Sequence, residues 1–401
     1  MHFTCAEVDF LDKNMEELLV SYDVNAVFCE IEKEEEKYIK FWEDICNIET
    51  VSSDKEALDG LVDFIQAFAT EEGFKVKRTP FEKCGDFLTI DMNEGAEKGY
   101  MFLAHMDTVH VKGKFGYPPV KIEGNKMIGP GVIDCKGGIA VALLVMKSLK
   151  TLGYDKHLCL MLTSDEEISN SLGGERELEF IKNTAAGFKG AFNCEVARDG
   201  EVVVSRKGIL RIRIHITGKP SHAGIDYFAG VSAIREAAYK IIELETKSKE
   251  GATTYNCGII QGGDMFNIVP AKCTMSIDVR VNSIEDMEAA YKVVEEVAAK
   301  SFVEGSTSEF ELVSRRMPMM RTKETNGLFE KLREISLANG LGDLVPIESG
   351  GGSDSAYTQL AGVPSVCAVG TCGDYCHTVN EYAEIDSLVK RAKLLAATTI
   401  Q

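Results

Sequence analysis

The sequence predicts an α/β protein: a mostly parallel-sheet domain interrupted by an inserted ferredoxin-like α+β lid. Three observations carry this. From about residue 75 to 207, short apolar strands alternate with helical stretches, the βαβ pattern of a parallel sheet. Near Lys207 the order changes to β-α-β-β-α-β, a unit that closes on itself in about 110 residues. After about Met317 the α/β pattern returns. A chain of 401 residues suits two such bodies. The expected division is 1–207 with 317–401 for the sheet domain and 208–316 for the insert, with residues 1–35 as an N-terminal extension.

Taken in order, residues 1–70 are acidic and helix-like, with Leu18, Leu19 and Val20, then Leu58, Leu61, Val62 and Ile65, on helical spacing. Residues 31–38 read as a solvated helical face. Helices are expected at Gly137–Leu152 and Gly174–Asn183. In the insert, an alternating strand Ile209–Thr217 precedes a helix over about Ala229–Glu245. Strands near Thr253–Ile260 and over Ala271–Val281 follow. A helix Ile284–Ser301 opens on Ser283 with Asp286 three residues on, the capping-box spacing, and a last strand lies near Phe310–Val313. The resumed pattern ends in a strand Val363–Val369 and the His377 loop.

A net charge of −19 argues against nucleic acid and anionic membranes and favours cations. The N-terminus lacks a basic-then-apolar leader and no apolar run reaches 18 residues, so a cytoplasmic protein is expected. Twelve scattered cysteines without a Cys-x-x-Cys read as thiols of a reducing compartment. Cys372 and Cys376 flank His377, but small buried hydrophobes are the simpler reading. Cys135, Cys194 and Cys376 each adjoin a candidate ligand and are expected to face away from it.

The chemistry concentrates where five segments stop. They end in His105 and Asp107, in Asp134, in Asp165-Glu166-Glu167, in Glu195 and in His377. Apolar runs of this length read as buried strands, and sites in open α/β sheets lie outside the strands' carboxyl ends. Asp107, two residues after His105 on the same side of the strand, is placed to orient the imidazole. Asp134 is either an N-cap of the following helix or a bridge between metals. Adjacent carboxylates at 165–167 repel unless a cation or a shared proton is present; one can ligate while another holds an attacking water. Two imidazoles and three ligating carboxylates suit a two-metal site bridged by Asp134, of the kind that holds its metals about 3.5–4 Å apart. In the insert, His222 sits in a turn, and Asn267 and Arg280 flank Pro270; the guanidinium fork of Arg280 suits a carboxylate. The run Glu348-Ser-Gly350-Gly-Gly-Ser-Asp354 offers backbone N–H groups to an anion without being a P-loop or an esterase elbow. Gly129-Pro-Gly131 has the wrong spacing for a dinucleotide fingerprint. His2, His110, His157 and His215 lack partners and are read as structural.

Over roughly residues 40–395 these motifs, in this order, resemble the zinc-dependent exopeptidase and deacylase family, which includes carboxypeptidase G, aminoacylase, acetylornithine deacetylase and succinyl-diaminopimelate desuccinylase. The resemblance rests on His105-Met-Asp107, Asp134-x-Lys-Gly-Gly, Asp165-Glu166-Glu167, Glu195, Gly218-Lys-Pro-Ser-His222-Ala-Gly, Asn267-Ile-Val-Pro270, Asp278-Val-Arg280, Gly350-Gly-Gly-Ser-Asp354 and His377. Glu381-Tyr-Ala-Glu-Ile-Asp386 adds likeness to the glutamate carboxypeptidase type. The resemblance implies two Zn2+ per chain, or Co2+ or Mn2+ in their place. His105, Asp134 and Glu195 would hold one ion, and Asp134, Glu167 and His377 the other. It implies Glu166 as general base, Asp107 behind His105, and a cis peptide at Asp134–Cys135. It also implies a homodimer through the lid, with His222 serving the partner's site. Arg280, Asn267, Gly350, Gly351 and Gly352 would hold the substrate's carboxylate. The expected activity is release of a C-terminal amino acid from a small peptide or N-acyl amino acid. The alternatives are an N-acyl amino-acid deacylase and, in a different class, a non-catalytic metal-loaded binder. Val196-Ala-Arg198 departs from the Pro-containing run common in the carboxypeptidase G type.

Overall fold

A computed structural model describes residues 22–401. The first element is α1 (Val24–Cys46), capped by Asp23, whose carboxylate accepts the Asn25 N–H at 2.9 Å. Val27, Ile31, Tyr38, Phe41, Trp42 and Ile45 recur at helical spacing and are buried, while Glu32, Lys33, Glu36 and Lys37 face solvent. Residues 24–35 of the expected extension thus belong to a core helix; His2, Leu18, Leu19 and Val20 lie outside the described residues. Helix α2 (Lys55–Glu71) buries Leu58, Leu61, Val62 and Ile65.

The chain then forms β1 (Lys75–Thr79), β2 (Phe87–Met92), β3 (Lys98–His105), β4 (Lys121–Glu123), β5 (Lys126–Ile128), α3 (Lys136–Thr151), β6 (His157–Thr163), α4 (Gly174–Ala185), β7 (Gly190–Asn193) and β8 (Glu201–Arg206). The insert follows as β9 (Gly208–Thr217), α5 (Ala233–Glu245), β10 (Thr254–Gly262), β11 (Lys272–Val281), α6 (Ile284–Ala299) and β12 (Thr307–Arg316). The chain returns through α7 (Lys323–Ala338), β13 (Val345–Ser349), α8 (Ser355–Leu360), β14 (Ser365–Cys367), β15 (Gly373–Asp374), β16 (Tyr382–Glu384) and α9 (Ser387–Ile400).

Eight strands make the main sheet in the order β1-β2-β6-β3-β7-β14-β8-β13. Four of its neighbouring pairs are parallel (β6/β3, β3/β7, β7/β14, β8/β13) and three antiparallel (β1/β2, β2/β6, β14/β8). β3 and β6 are buried along nearly their whole length, which is why their sequences are continuous apolar runs rather than alternating ones. Registers of His105 against Thr163 and Leu103 against Asn193 bring the carboxyl ends of β6, β3 and β7 side by side. The residues that leave those strands, His105, Glu166, Glu167 and Glu195, therefore share one edge.

Two of the five segments are not strand ends. Gly131–Asp134 is a turn running into α3, and His377 follows β15 in a small antiparallel sheet of order β15-β16-β5-β4. The expected strand Val363–Val369 is reduced to Ser365–Cys367.

The insert is a four-stranded antiparallel sheet, order β10-β11-β9-β12, with a core of its own. Leu210, Ile212, Ile214 and Ile216 alternate inward along β9 and pack with Ala237 and Val294 of its helices. Burying each such side chain contributes about 1.5–3 kcal/mol. Ser283 caps α6, accepting the Asp286 N–H at 3.0 Å. Where the chain enters and leaves the insert, Arg206 and Met319 exchange backbone hydrogen bonds of 2.9 and 3.1 Å.

Candidate active site

The Asp134 turn is fixed from all sides. Gly131 has φ +72°, and a Cβ there would lie 2.8 Å from Thr108 Cγ2. Gly138 lets the start of α3 press on the exit of β7: a Cβ would fall 1.9 Å from the Cys194 carbonyl oxygen. Trp42 Nε1 donates to the Val132 carbonyl at 2.9 Å. Ile133 and Asp134 N–H groups donate to one oxygen of Glu381, at 3.2 and 3.3 Å, and His110 Nε2 meets its other oxygen at 2.6 Å. Lys136 is buried, and its ammonium donates to the Ile45 and Ile48 carbonyls at 3.2 and 2.6 Å. Burial pushes this lysine down to about 8. The Asp134–Cys135 peptide is cis. α3 has no side-chain N-cap bond, so of the two readings of Asp134 the cap is not the one observed.

Asp134 instead stands between two imidazoles. His105 Nε2 lies 3.1 Å from its Oδ1, and His377 Nε2 lies 3.1 Å from its Oδ2. His105 Nε2 is also 4.0 Å from Glu195 Oε1, and His377 Nε2 is 3.2 Å from Glu167 Oε2. Donor atoms of His105, Glu166 and Glu195, and of His105, Asp134 and Glu167, fall within 4.8 Å of one another. His377 is held with φ +66°, the left-handed region that non-glycine residues seldom occupy.

The titration pattern follows from this crowding. Burial and the charge of Asp134 push Glu167 up to about 8; burial and the charge of Glu166 push Glu195 up to about 7. Burial opposes ionisation of Asp134, yet the hydrogen bonds from His105 and His377 hold its carboxyl well below the usual range. Hydrogen bonds to Asp134 and Glu167 raise His377 to about 11. Among carboxylates this close, some must stay protonated unless cations enter. Imidazole and carboxylate donors converging in this way fit divalent metal ions.

Asp107 ties the set together. Its carboxylate accepts from Ser52 Oγ at 2.6 Å and from the Glu166 and Glu167 N–H groups at 3.2 Å, and it lies 3.3 Å from His105 Nδ1. It thus orients both the imidazole and the turn that presents the two glutamates. Asp165 faces the other way, accepting the Leu172 and Gly173 N–H groups. Glu166 Oε1 is met by the guanidinium of Arg316, the last residue of β12.

Asp134, Glu166, Glu167, Glu195 and His377 line a cavity of about 460 Å³ together with Arg198, Arg206, Glu348 and Gly350–Gly352. Arg206 Nη2 is 3.9 Å from Glu195. The structure therefore brings His105, Asp107, Asp134, Glu166, Glu167, Glu195 and His377 together, with the glycine turn lining the same cavity. His222 and Asn267 are neighbours in the insert, where Ala223 N–H donates to the Asn267 carbonyl at 2.9 Å, but neither lines this cavity. Arg280 reaches the cavity wall only through the Gly350 carbonyl, at 3.0 Å. Its Nε and Nη2 are engaged by Asp278 at 2.6 and 3.0 Å.

Several expectations need correction. His110, His157 and His215 do have partners: Glu381, Asp91 at 2.7 Å, and Thr274 with Glu311, each at 3.1 Å. Cys135 does turn away, its thiol 3.4 Å from the Cys194 carbonyl, but Cys376 lines the cavity beside His377 because the chain there is a tight turn, not a strand. Cys372 is spent on Arg391, whose Nε is 3.3 Å from its sulfur. Arg206, Arg316 and Ser52 escaped notice. No local spacing marks them, although Arg316 stands in a Ser-Arg-Arg-Met run at the insert's end.

A family model described as peptidase family M20/M25/M40 matches residues 101–401. Carboxypeptidase G2 of Pseudomonas sp. (strain RS-16) is 31% identical over 384 residues, covering 93% of this chain and 91% of the relative. Succinyl-diaminopimelate desuccinylase of Rickettsia akari (strain Hartford) is 23% identical over 387 residues, covering 88% and 96%. In fold, an M20 family metallo-carboxypeptidase from Sulfolobus solfataricus superposes with a TM-score of 0.76 at 15% identity, covering 91% of this chain and 98% of the other. The buried His/Asp/Glu cluster lies inside the matched region, and with three quarters of its length matched the chain belongs to peptidase family M20/M25/M40, as a hydrolase of the metallopeptidase and amidohydrolase type.

Proposed function

We propose that the protein is a di-zinc hydrolase that cleaves an amide bond next to a free carboxylate, releasing the C-terminal amino acid of a small peptide or N-acyl amino acid. One observation carries the reading: the two oxygens of Asp134 each face a different imidazole, at 3.1 Å, as a carboxylate shared by two cations must. His105, Asp134 and Glu195 would hold one ion and Asp134, Glu167 and His377 the other. Bound divalent ions supply Lewis acidity and lower the pKa of water to about 7. Glu166, buried at the cavity wall, takes the proton of the attacking water and hands it to the leaving amine. Asp107 keeps the Glu166 turn and His105 in register.

The substrate's carboxylate is assigned to the glycine turn 350–352 with Arg280 and Asn267. Support comes from the contact of Arg280 with Gly350 and from the turn lining the same cavity as the donors. We take 1–207 with 317–401 as the catalytic body and 208–316 as a lid through which two chains pair. His222, absent from its own chain's cavity and paired through its backbone with Ile268, would then serve the partner's site. No helix among the described residues is long and apolar enough to cross a membrane. The eleven free cysteines among those residues fit a reducing compartment such as the cytoplasm.

Similarity to the desuccinylase, spanning 96% of that protein, favours a second reading in which the acyl group, not the amino acid, is selected. One preparation tests both: metal content per chain, with amino-acid release from a panel of N-acyl amino acids and α- and γ-linked dipeptides, before and after chelation. About two zinc ions per chain and chelator-sensitive release are expected. Folded protein that takes up no metal would sink the proposal. Rates that follow the acyl group across the panel would select the deacylase.

A further inference from the structure

Glu166 belongs to the catalytic body, but the group that grips it does not. Arg316 closes β12, the strand by which the chain leaves the insert, and its side chain is 3% exposed. Nη1 donates to Glu166 Oε1. Nη2 donates to the Glu166 carbonyl and to Asn170 Oδ1, each at 2.9 Å, and reaches Asp354 Oδ1 at 3.3 Å. Asn170 in turn donates to Glu177 at 2.8 Å and Asp354 at 3.1 Å. One guanidinium thus fixes the Glu166 carboxylate, its backbone and the loop that follows.

The surroundings are cut to fit this side chain. A Cβ at Gly352 would lie 2.4 Å from Arg316 Cδ, so the third glycine of the cavity-lining turn leaves the space its stem fills. Arg315, one residue earlier, instead pairs with the exposed Glu288 at 3.0 Å. A planar fork that serves four acceptors at once is only partly replaced by an ammonium, which is a point charge on a flexible stem.

We infer that Arg316 is a positioning residue for the reaction: it sets the orientation of the Glu166 carboxylate and makes that orientation depend on where the insert's return strand lies. The inference rests on Glu166 as the general base. Misplacing a reacting group by about 1 Å can cost about 100-fold in rate. Arg316→Met, which keeps the stem, should therefore lower kcat by about 100-fold. KM and metal content should stay near those of the parent. Arg316→Lys should recover part of the loss. The experiment measures kcat, KM, metal per chain and thermal unfolding on the full chain loaded with zinc, for both variants and for Glu166→Gln. If Arg316→Met is poorly folded, Arg316→Lys and Asn170→Ala carry the test, each expected to lower kcat with KM held. Loss of kcat that only tracks loss of metal or of folded protein would make Arg316 scaffold and overturn the inference. So would variants whose kcat matches the parent while Glu166→Gln is inactive. If Glu166→Gln itself keeps its turnover, the base assignment falls, and this inference falls with it.

Discussion

Asp134 and Glu166 line one cavity, yet they are held by opposite means. Asp134 sits in a turn locked by its own domain. Two N–H groups are anchored on Glu381, Trp42 grips the next carbonyl back, a buried lysine ties the helix start to α1, and Gly138 is packed against Cys194. Glu166 is presented by Asp107 from behind, but its carboxylate is gripped by an arginine on the far side of a domain crossing. On the proposed roles, Asp134 as a shared ligand would be held by one body alone, whereas Glu166 as base would take one of its supports from the insert.

The comparison can be broken most severely at Asp134. Asp134→Ala removes the one carboxylate both imidazoles face, and we expect it to abolish metal loading and turnover together; normal metal content in this variant would remove Asp134 from the bridging role. Glu381→Gln should do less. It keeps a hydrogen-bonding side chain under the turn while weakening a support behind a ligand, and such supports are worth about 10–100-fold in metal affinity. Competition with a metallochromic chelator measures this, and unchanged affinity would mean the turn is rigid without Glu381.

The smallest effect is one of pH on the metal-free protein. Glu167 at about 8 and Glu195 at about 7 lie above the ordinary carboxylate range. Their folded-state protonation stabilises the metal-free protein at low pH, and that contribution is lost progressively as pH rises from the ordinary carboxylate value of 4.5 through 7 to 8. His377, raised from about 6.5 to about 11, likewise gives up its contribution as pH rises between those values, so it adds to the loss in this window. Tm of the metal-free protein should therefore fall between pH 6 and 9. Bound cations favour the ionised carboxylates, so Tm of the loaded protein should hold and the gap between them should widen. Parallel curves would show that these two glutamates are not ligands.

What could be read from sequence follows the same divide. His105, Glu166, Glu167 and Glu195 were legible because β3, β6 and β7 are unbroken apolar runs whose stopping points are visible locally. The inserted unit was legible because β9 alternates and Ser283 caps α6 at a recognisable spacing. Gly131–Asp134 was mistaken for a strand end, since a short buried turn is as apolar as a strand. The links from His110 to Glu381 and from Arg316 to Glu166 were invisible. Their partners are 271 and 150 residues away, and nothing periodic connects them.

The backbone pair between Arg206 and Met319 has a broader meaning. Chain that leaves and re-enters a sheet domain through one antiparallel couple has the geometry of a hairpin whose loop is an entire folding unit. Such a loop can lengthen, shorten or be exchanged while every strand of the main sheet keeps its register. What the insert carries can therefore change without reworking the sheet that positions the candidate site.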